Sequence, residues 1–263
     1  MGQKTLALED INLAIPTGSF TAIVGPNNSG KSTLGQIISG LLTPSSGQVL
    51  IEGLNLVHWD HKLLTRTIGL IFSNPEDQII FPTVEEDLTF SLESLPIDAF
   101  QIEKEVADIL EFLEMKDYRQ FPIHHLSGGQ KQKIALAAMI IRGLRYLVVD
   151  EPISYLDAQG KREVLTLIHR LHQAGTTIIY LAQGFEELTI AERIVALSAG
   201  RVIWQGSFVE LLQRPDDAAQ WGIEVPPVVR LVKVLQEEGI AIAHPVYTVD
   251  QLLQALKKIK NES

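Results

Sequence analysis

The feature that most constrains this chain is the stretch GPNNSGKST, residues 25–33, which directly follows the apolar run FTAIV. It matches the phosphate-binding loop (P-loop) pattern G-x-x-x-x-G-K-[ST] in the context of strand, loop and helix that the motif requires. Gly25 and Gly30 allow backbone angles and close approaches that a side chain would block, so that successive N–H groups can point at phosphate oxygens. Lys31 supplies a charge to the β and γ phosphates, and the Ser32 hydroxyl is a hard oxygen ligand for Mg²⁺. The loop therefore predicts a site for a nucleoside triphosphate.

A second constraint is the stretch LVVDEPISYLD, residues 147–157, an apolar run that ends in the carboxylates Asp150 and Glu151. The run predicts a buried parallel strand, and open α/β sheets place their ligands at the carboxyl ends of such strands. Taken alone, a strand that simply meets solvent explains the pattern equally well. Beside a P-loop, Asp150 fits the acid that holds the metal, directly or through water. Glu151 then fits the group that orients or deprotonates a water for attack on the γ-phosphate.

Short β-rich runs recur along the chain with helical patterns between several of them, which predicts an α/β fold with a mostly parallel sheet. Residues 84–138 break this rhythm, because apolar residues recur there at helical spacing without a strand-like run. We interpret them as a helical subdomain inserted into a nucleotide-binding domain of residues 1–205. After a hairpin that turns at Ala199 and Gly200, short amphipathic patterns predict a small C-terminal domain over residues 206–263.

Composition limits the partners of the chain. It carries 22 Lys and Arg against 32 Asp and Glu, so a net charge of -10 offers no long-range attraction to nucleic acid or anionic lipid. The longest strongly apolar run, IALAAMII at residues 134–141, is too short to span a bilayer. Charges also stand near the N-terminus where a signal peptide needs an apolar core. The absence of cysteine excludes disulfides and thiolate metal sites and is typical of the cytoplasm. Attachment to a membrane would therefore need a protein partner.

A third motif is LSGGQKQKIALAAMI, residues 126–140, in which a Ser-Gly-Gly turn opens a helix and creates a second anion-binding N-terminus. Alone, this would more simply be a glycine turn that caps a helix. With the other motifs, however, the chain resembles the nucleotide-binding subunits of ABC transporters. LSGGQ resembles the signature of that family, VVDEP its Walker B segment and SYLD (154–157) its D-loop, in the right order over residues 7–205. The resemblance implies a P-loop NTPase of the ABC-ATPase fold with an inserted helical subdomain and a small C-terminal helical domain.

In that family two subunits dimerise head to tail, and each ATP lies between the P-loop of one chain and the signature of the other. The resemblance implies that the signature residues act on the nucleotide of the partner and that Asp157 lies at the dimer interface. The nucleotide-binding residues that follow are Gly25, Pro26, Asn27, Asn28, Ser29, Gly30, Lys31, Ser32, Thr33, Ser127, Gly128, Gly129, Gln130 and Asp157.

The resemblance is closest to the ATPases of energy-coupling factor (ECF) transporters, which import vitamins or transition metals. It rests on SNPEDQIIFPTVEEDLTFSLESL (73–95) and on the tail with GIEVPPVVRLVKVLQEEGI and TVDQLLQAL. It implies ATP and Mg²⁺ as cofactors and ATP hydrolysis coupled to transport. The implied partners are a second ATPase subunit, a transmembrane coupling protein that docks beside residues 73–90, and a membrane-embedded substrate-binding protein. The expected location is the cytoplasmic face of the membrane, with no nucleic-acid partner.

Three departures from the family pattern bear on mechanism. The Q-loop glutamine falls at Ser73, whose side chain has a shorter reach toward the metal. The switch histidine falls at Gln183, which can donate a hydrogen bond to the γ-phosphate but cannot become a cation. The aromatic residue that stacks on adenine is missing, and neither Trp59 nor Trp221 is an obvious substitute. The predicted metal ligands are therefore Ser32, Asp150 and Ser73, and the predicted catalytic residues are Glu151 and Gln183.

These departures leave several hypotheses open. One is an asymmetric heterodimer, in which Ser73 and Gln183 weaken only the site with this chain's own P-loop, while its LSGGQ completes the other site. A second is a weakly hydrolysing or non-hydrolysing regulatory half of such a pair. A third is a soluble ABC-type ATPase of DNA repair or translation, although no coiled coil, second cassette or basic surface is visible. A P-loop kinase would explain the first motif but has no use for LSGGQ and a D-loop.

Overall fold

A computed structural model of the chain describes residues 6–93, 95–243 and 245–262. Its strands within these ranges are β1 (Phe20–Val24), β2 (Leu50–Ile51), β3 (Leu54–Asn55), β4 (Ile68–Ile71), β5 (Tyr146–Asp150), β6 (Thr177–Leu181), β7 (Arg193–Ser198) and β8 (Arg201–Gly206). Its α-helices are α1 (Lys31–Ile38), α2 (His61–Thr65), α3 (Val84–Leu92), α4 (Ala99–Phe112), α5 (Gly128–Ile140), α6 (Ala158–Gln173), α7 (Phe208–Leu212), α8 (Pro215–Gln220), α9 (Pro227–Glu237) and α10 (Val249–Glu262). The predicted α/β class is confirmed.

The chain divides into two compact units. The central unit comprises Ile15–Ser19 and Ser32–Leu181, and the P-loop unit comprises Met1–Ala14, Phe20–Lys31 and Ala182–Ser263. The tail of residues 206–263 thus falls in the same unit as the P-loop. The boundary that the sequence suggested between residues 205 and 206 stays a prediction.

The central unit contains three parallel strands in the order β4, β5, β6. Every residue of these strands is buried, which explains why their sequences read as continuous apolar runs rather than as alternating ones. The helix α1 lies close to this layer, because a Cβ added at Gly35 would stand 2.8 Å from Leu181 Cδ1 and 3.2 Å from Val148 Cγ1. The carboxyl ends of the three strands therefore share one edge, where ligands of such sheets bind.

The inserted segment of the central unit is helical, as its periodicity predicts. Within residues 84–93 and 95–138 the structure has α3, α4 and the first part of α5, with short 3₁₀ turns and no strand. The Thr83 side chain caps α3 in a capping box with Glu86, and the core of the segment is formed by Val84, Leu88, Leu92, Val106 and Leu110.

In the P-loop unit, β1 pairs in parallel with β7, and β7 pairs antiparallel with β8. The hairpin turns at Ala199 and Gly200, whose φ angles of 45° and 76° suit a tight hairpin turn. The tail continues with α7 to α10, and Trp221 stacks on Trp204 of β8 with ring centroids 5.0 Å apart. Among the described residues, none of the helices has both the length and the apolar character that a membrane crossing demands.

Candidate functional site

The P-loop is shaped by close backbone approaches that only glycine permits. A Cβ added at Gly25 would stand 2.1 Å from the carbonyl oxygen of Leu197 in β7, which no side chain could tolerate. Gly30 has φ +104°, and a Cβ there would meet Ala7 O at 2.8 Å. Asn28 between them also has a positive φ of 63°. The fold therefore requires the two motif glycines for packing as well as for approach to a ligand.

The lysine of the motif is held over the loop. Lys31 is only 5% exposed, and its Nζ donates a hydrogen bond to Gly25 O over 2.8 Å. A backbone hydrogen bond of 3.1 Å from Ser29 N to Pro26 O forms a turn within the loop. A buried ammonium held against the loop, with glycines where a Cβ would intrude, fits the phosphate groups of a nucleotide.

The predicted switch residue reaches the P-loop within this unit. Gln183 is exposed, and its Nε2 donates to Asn27 Oδ1 over 3.2 Å. The backbone amides of Gln183 and Gly184 both donate to Glu187 Oε2, over 2.8 and 2.9 Å. Sequence reasoning identified Gln183 but missed Glu187, whose only signal was an acid four residues after the switch position.

The two acids at the carboxyl end of β5 differ in their environment. Asp150 is the last residue of the strand, opposite Leu181 of β6, and is 9% exposed. Glu151 has φ +47°, which places a non-glycine residue in the left-handed region. Its amide donates to Leu181 O over 3.1 Å, and its Oε2 accepts from Ser154 Oγ at 3.3 Å. Backbone strain of this kind occurs often at functional sites, where the surrounding structure holds it in place.

Ser73 stands two residues beyond β4, the neighbour of β5, so Ser73 and Asp150 follow adjacent strands at the same edge. Ser32 is the second residue of α1 and is exposed. All three belong to the central unit. They offer two hydroxyls and one carboxylate, and hard oxygen donors of this type fit Mg²⁺ when nucleotide phosphates and waters complete the shell. Thr33 follows Ser32 and is half-buried.

The signature begins α5 with its first residues in solvent. Ser127 caps the helix, with its Oγ accepting from Gln130 N at 3.3 Å and Gln130 Oε1 accepting from Ser127 N at 2.9 Å. Ser127 and Gly128 are exposed, and Gly129 is half-buried. The capping box fixes the direction of the first turn. It uses the Ser127 hydroxyl as an acceptor, so the same hydroxyl can also donate a hydrogen bond.

The D-loop lies against this helix. Asp157 caps α6, with its Oδ1 accepting from Gly160 N at 2.7 Å, and its side chain is exposed. A Cβ added at Gly129 would stand 3.5 Å from Gly160 Cα, so α5 and α6 approach closely at their first turns. A pocket of about 140 Å³ joins these segments to the stretch after β4; it is lined among others by Ser73, Glu76, Gly128, Gln132, Tyr155 and Leu156.

The structure also bears on the adenine contact, to which the sequence assigns no residue. Trp221 is 8% exposed and stacked on Trp204, so as placed it has no free ring face for a base. Trp59 is half-buried with its Nε1 directed at Leu54 O, 3.4 Å away. A second contact that the sequence did not predict lies at Gly222, where an added Cβ would stand 3.2 Å from Pro26 Cα of the P-loop.

Comparison with known proteins agrees with these motifs. The sequence profile of the ABC transporter family matches residues 8–154. The chain is 36% identical over 252 residues to an energy-coupling factor transporter ATP-binding protein, EcfA1, of Caldanaerobacter subterraneus subsp. tengcongensis, covering 94% of this chain and 90% of that one. An EcfA protein of Methanoculleus marisnigri is 34% identical over 238 residues, covering 90% of this chain and 86% of that one.

Two solved structures are similar. One is cbiO1 from Clostridium perfringens, part of the ABC transporter complex cbiONQ, with a TM-score of 0.71, 29% identity, and coverage of 86% of this chain and 92% of that one. The other is the ATP-binding cassette MJ0796 as a dimer bound to ADP and Pi, with a TM-score of 0.71, 27% identity, and coverage of 79% and 93%. By its motifs, its fold and these similarities, the chain belongs to the ABC transporter family and, within it, to the ATP-binding proteins of energy-coupling factor transporters.

Proposed function

We propose that this chain is the ATP-binding and ATP-hydrolysing subunit of an ECF-type importer, which drives uptake of a vitamin or a transition metal ion by ATP-dependent closure of a dimer. The observation that carries the proposal is the 36% identity to an ECF transporter ATP-binding protein over 94% of the chain. This similarity extends through the C-terminal tail, beyond the residues that the general family profile matches. The importer places the chain at the cytoplasmic face of the membrane through protein partners.

The chemistry follows from the residues of the site. The P-loop amides and Lys31 bind the phosphates, since Lys31 already stands over the loop. Ser32, Asp150 and Ser73 would hold Mg²⁺, which when bound neutralises charge on the phosphates. Glu151, aimed by its left-handed backbone, orients the attacking water and accepts its proton. Gln183 donates a hydrogen bond to the γ-phosphate without adding positive charge.

The signature acts on a nucleotide held by a second subunit. Its support is the exposure of Ser127 and Gly128 at the start of α5, with Gln130 fixing the turn and Asp157 exposed beside it. A helix N-terminus of this kind favours anions through its free amides and dipole. The solved cassette MJ0796 is itself a dimer with ADP and Pi.

The second subunit is a different ATPase chain in our proposal. Ser73 and Gln183 replace groups that coordinate or carry charge in the family, so a symmetric dimer would have two weakened sites. In an asymmetric pair, this chain's signature completes one full site on the partner. A purified chain that forms a homodimer with fast ATP turnover would contradict the asymmetry. The further partners are a transmembrane coupling protein and a membrane-embedded substrate-binding protein.

The test is ATP turnover by the full chain in the complex with which it copurifies from membranes. In a complex whose site on the partner is silenced by Gly128→Asp in the signature, Glu151→Gln should lower the remaining kcat by at least about 100-fold, the usual contribution of a general base, while ATP binding is retained. Glu186→Gln removes an exposed carboxylate of the same type and serves as the matched control. An unchanged kcat in Glu151→Gln, with ATP still bound, would favour the alternative that Ser73 and Gln183 suggest, a non-hydrolysing regulatory half of the pair.

A further inference from the structure

Glu187 is a buried carboxylate beside the switch residue. It is 3% exposed, and one of its oxygens, Oε2, accepts the backbone amides of both Gln183 and Gly184, at 2.8 and 2.9 Å. A buried carboxylate is costly unless hydrogen bonds satisfy it, and bonds to an ionised acceptor are about twice as strong as neutral ones. The carboxylate and the two amides therefore fix each other.

The same loop is held from its next residue by aromatic packing. Phe185 is 8% exposed, and its ring centroid lies 5.5 Å from that of Phe208 and 6.0 Å from that of Tyr247. The rings of Phe208 and Tyr247 also meet edge to face at 5.4 Å. The backbone of residues 183–185 is thus anchored twice, by a carboxylate and by a closed group of three rings.

The anchored backbone determines where the Gln183 side chain can reach. Its Nε2 meets Asn27 Oδ1 of the P-loop at 3.2 Å, although the side chain itself is exposed. An exposed glutamine has several accessible rotamers, and each is displaced when the backbone from which it projects moves. Catalytic hydrogen bonds are sensitive to displacements of about 1 Å, which can change rates about 100-fold.

We propose that Glu187 is a positioning residue for ATP hydrolysis, which acts by holding the Gln183 and Gly184 amides so that the Gln183 carboxamide faces the P-loop. This inference rests on the proposed function for its effect on turnover, but not for its effect on the loop. Glu187 is buried and acts through Gln183. A buried carboxylate with only a structural role would stabilise the fold. Its replacement would not lower kcat while leaving the affinity for ATP unchanged.

The test compares Glu187→Gln and Glu187→Ala with the control Glu186→Gln, an exposed neighbour, in the full chain and its copurified complex. All variants carry Gly128→Asp in the signature, which silences the site on the partner, so that kcat reports the site with this chain's own P-loop. The carboxamide of Glu187→Gln keeps a neutral acceptor, so we expect this kcat to fall about threefold, and Glu187→Ala to lower it at least about tenfold. The Kd for ATP should stay within about twofold, because the P-loop is untouched. Hydrogen exchange of the Gln183 and Gly184 amides should be faster in Glu187→Gln than in the control Glu186→Gln, and fastest in Glu187→Ala.

A second comparison separates positioning from stability. In a Gln183→Ala background, Glu187→Gln should no longer change kcat, because residues that act through one another are not additive. An undiminished effect in that background, or a kcat equal to that of Glu186→Gln in the normal background, overturns the proposal. Should Glu187→Ala fail to fold, Glu187→Gln decides alone.

The outcome also separates this inference from the proposed function. If the wild-type complex hydrolyses no ATP, the proposed function fails, and amide exchange then decides the inference by itself. Faster exchange at Gln183 and Gly184 in Glu187→Gln would support the positioning role, and unchanged protection would overturn it.

Discussion

Replacing Glu151 by glycine should make the chain more stable than replacing it by alanine. Glu151 has φ +47°, and an L-residue pays about 1–2 kcal/mol for a left-handed conformation that glycine adopts freely. Glycine loses about 0.5–1 kcal/mol more backbone entropy on folding than alanine does. The difference leaves Glu151→Gly more stable than Glu151→Ala by about 1 kcal/mol.

Comparing glycine with alanine cancels what both substitutions remove. The hydrogen bond from Ser154 Oγ to Glu151 Oε2 is lost in each variant, as is the carboxylate proposed for catalysis. Both variants should therefore be equally poor in ATP hydrolysis. The stability difference then reports the backbone conformation alone.

The control is Glu163, which lies inside α6 and belongs to the same unit. There glycine should be less stable than alanine by about 1 kcal/mol, the helix penalty, so the order of the two variants is reversed. The assay is the denaturant midpoint of the central unit, since two compact units need not unfold together. If Glu151→Ala proves as stable as Glu151→Gly while the Glu163 pair behaves as expected, Glu151 does not hold a left-handed backbone in solution and the strain argument is wrong.

Two further predictions concern the P-loop contact and pH. Gly222→Ala places a methyl group 3.2 Å from Pro26 Cα, whereas Gly239→Ala, the control, has a similar positive φ with open space around it. Overpacking of about 1–3 kcal/mol against the P-loop should therefore weaken ATP binding at least about fivefold in Gly222→Ala and not in Gly239→Ala. Equal affinities of the two variants in an ATP titration would refute the contact. The hydrogen bond from the Lys133 ammonium lowers the pKa of the Glu163 carboxyl in the folded protein. The ion pair therefore stabilises the fold fully above the ordinary pKa of a glutamate, and this stability is lost as the pH falls through the lowered pKa of the folded protein. Glu163→Gln should cost at most about 0.5 kcal/mol at pH 7 and nothing in strong acid, and a gap that persists in strong acid in denaturant titrations would contradict this.

Local chemistry explains why much of the site could be predicted from sequence. A P-loop needs glycine at fixed positions, a lysine after the second and a strand before the first, and these requirements lie within 14 residues, from Phe20 to Thr33. The acids at the carboxyl end of β5 were predictable because open α/β sheets bind their ligands at the carboxyl ends of parallel strands, and a P-loop needs such an acid beside it. The helical insert was predictable because its apolar spacing has the helical period.

The contacts of the loops were not predictable, because periodicity describes the faces of regular elements and loops have no period. Glu187 is one of several acids in its neighbourhood, and only the fold shows that its carboxylate accepts two amides. Gly222 reads in sequence as a turn after α8, yet it packs on Pro26, nearly 200 residues earlier. The left-handed backbone of Glu151 also departs from residue preference, since glutamate seldom adopts it.

The sequence by itself therefore determined the family and the α/β class, and it predicted the residues that bind and cleave a nucleoside triphosphate, because each depends on residue type at short, fixed spacing. Only the tertiary structure decided how those residues are held: Lys31 over the loop carbonyl, Gln183 anchored by Glu187, and Glu151 strained at the end of β5. The physical reason is that hydrogen bonds and close packing between distant segments depend on distances that the chain acquires only when it is folded.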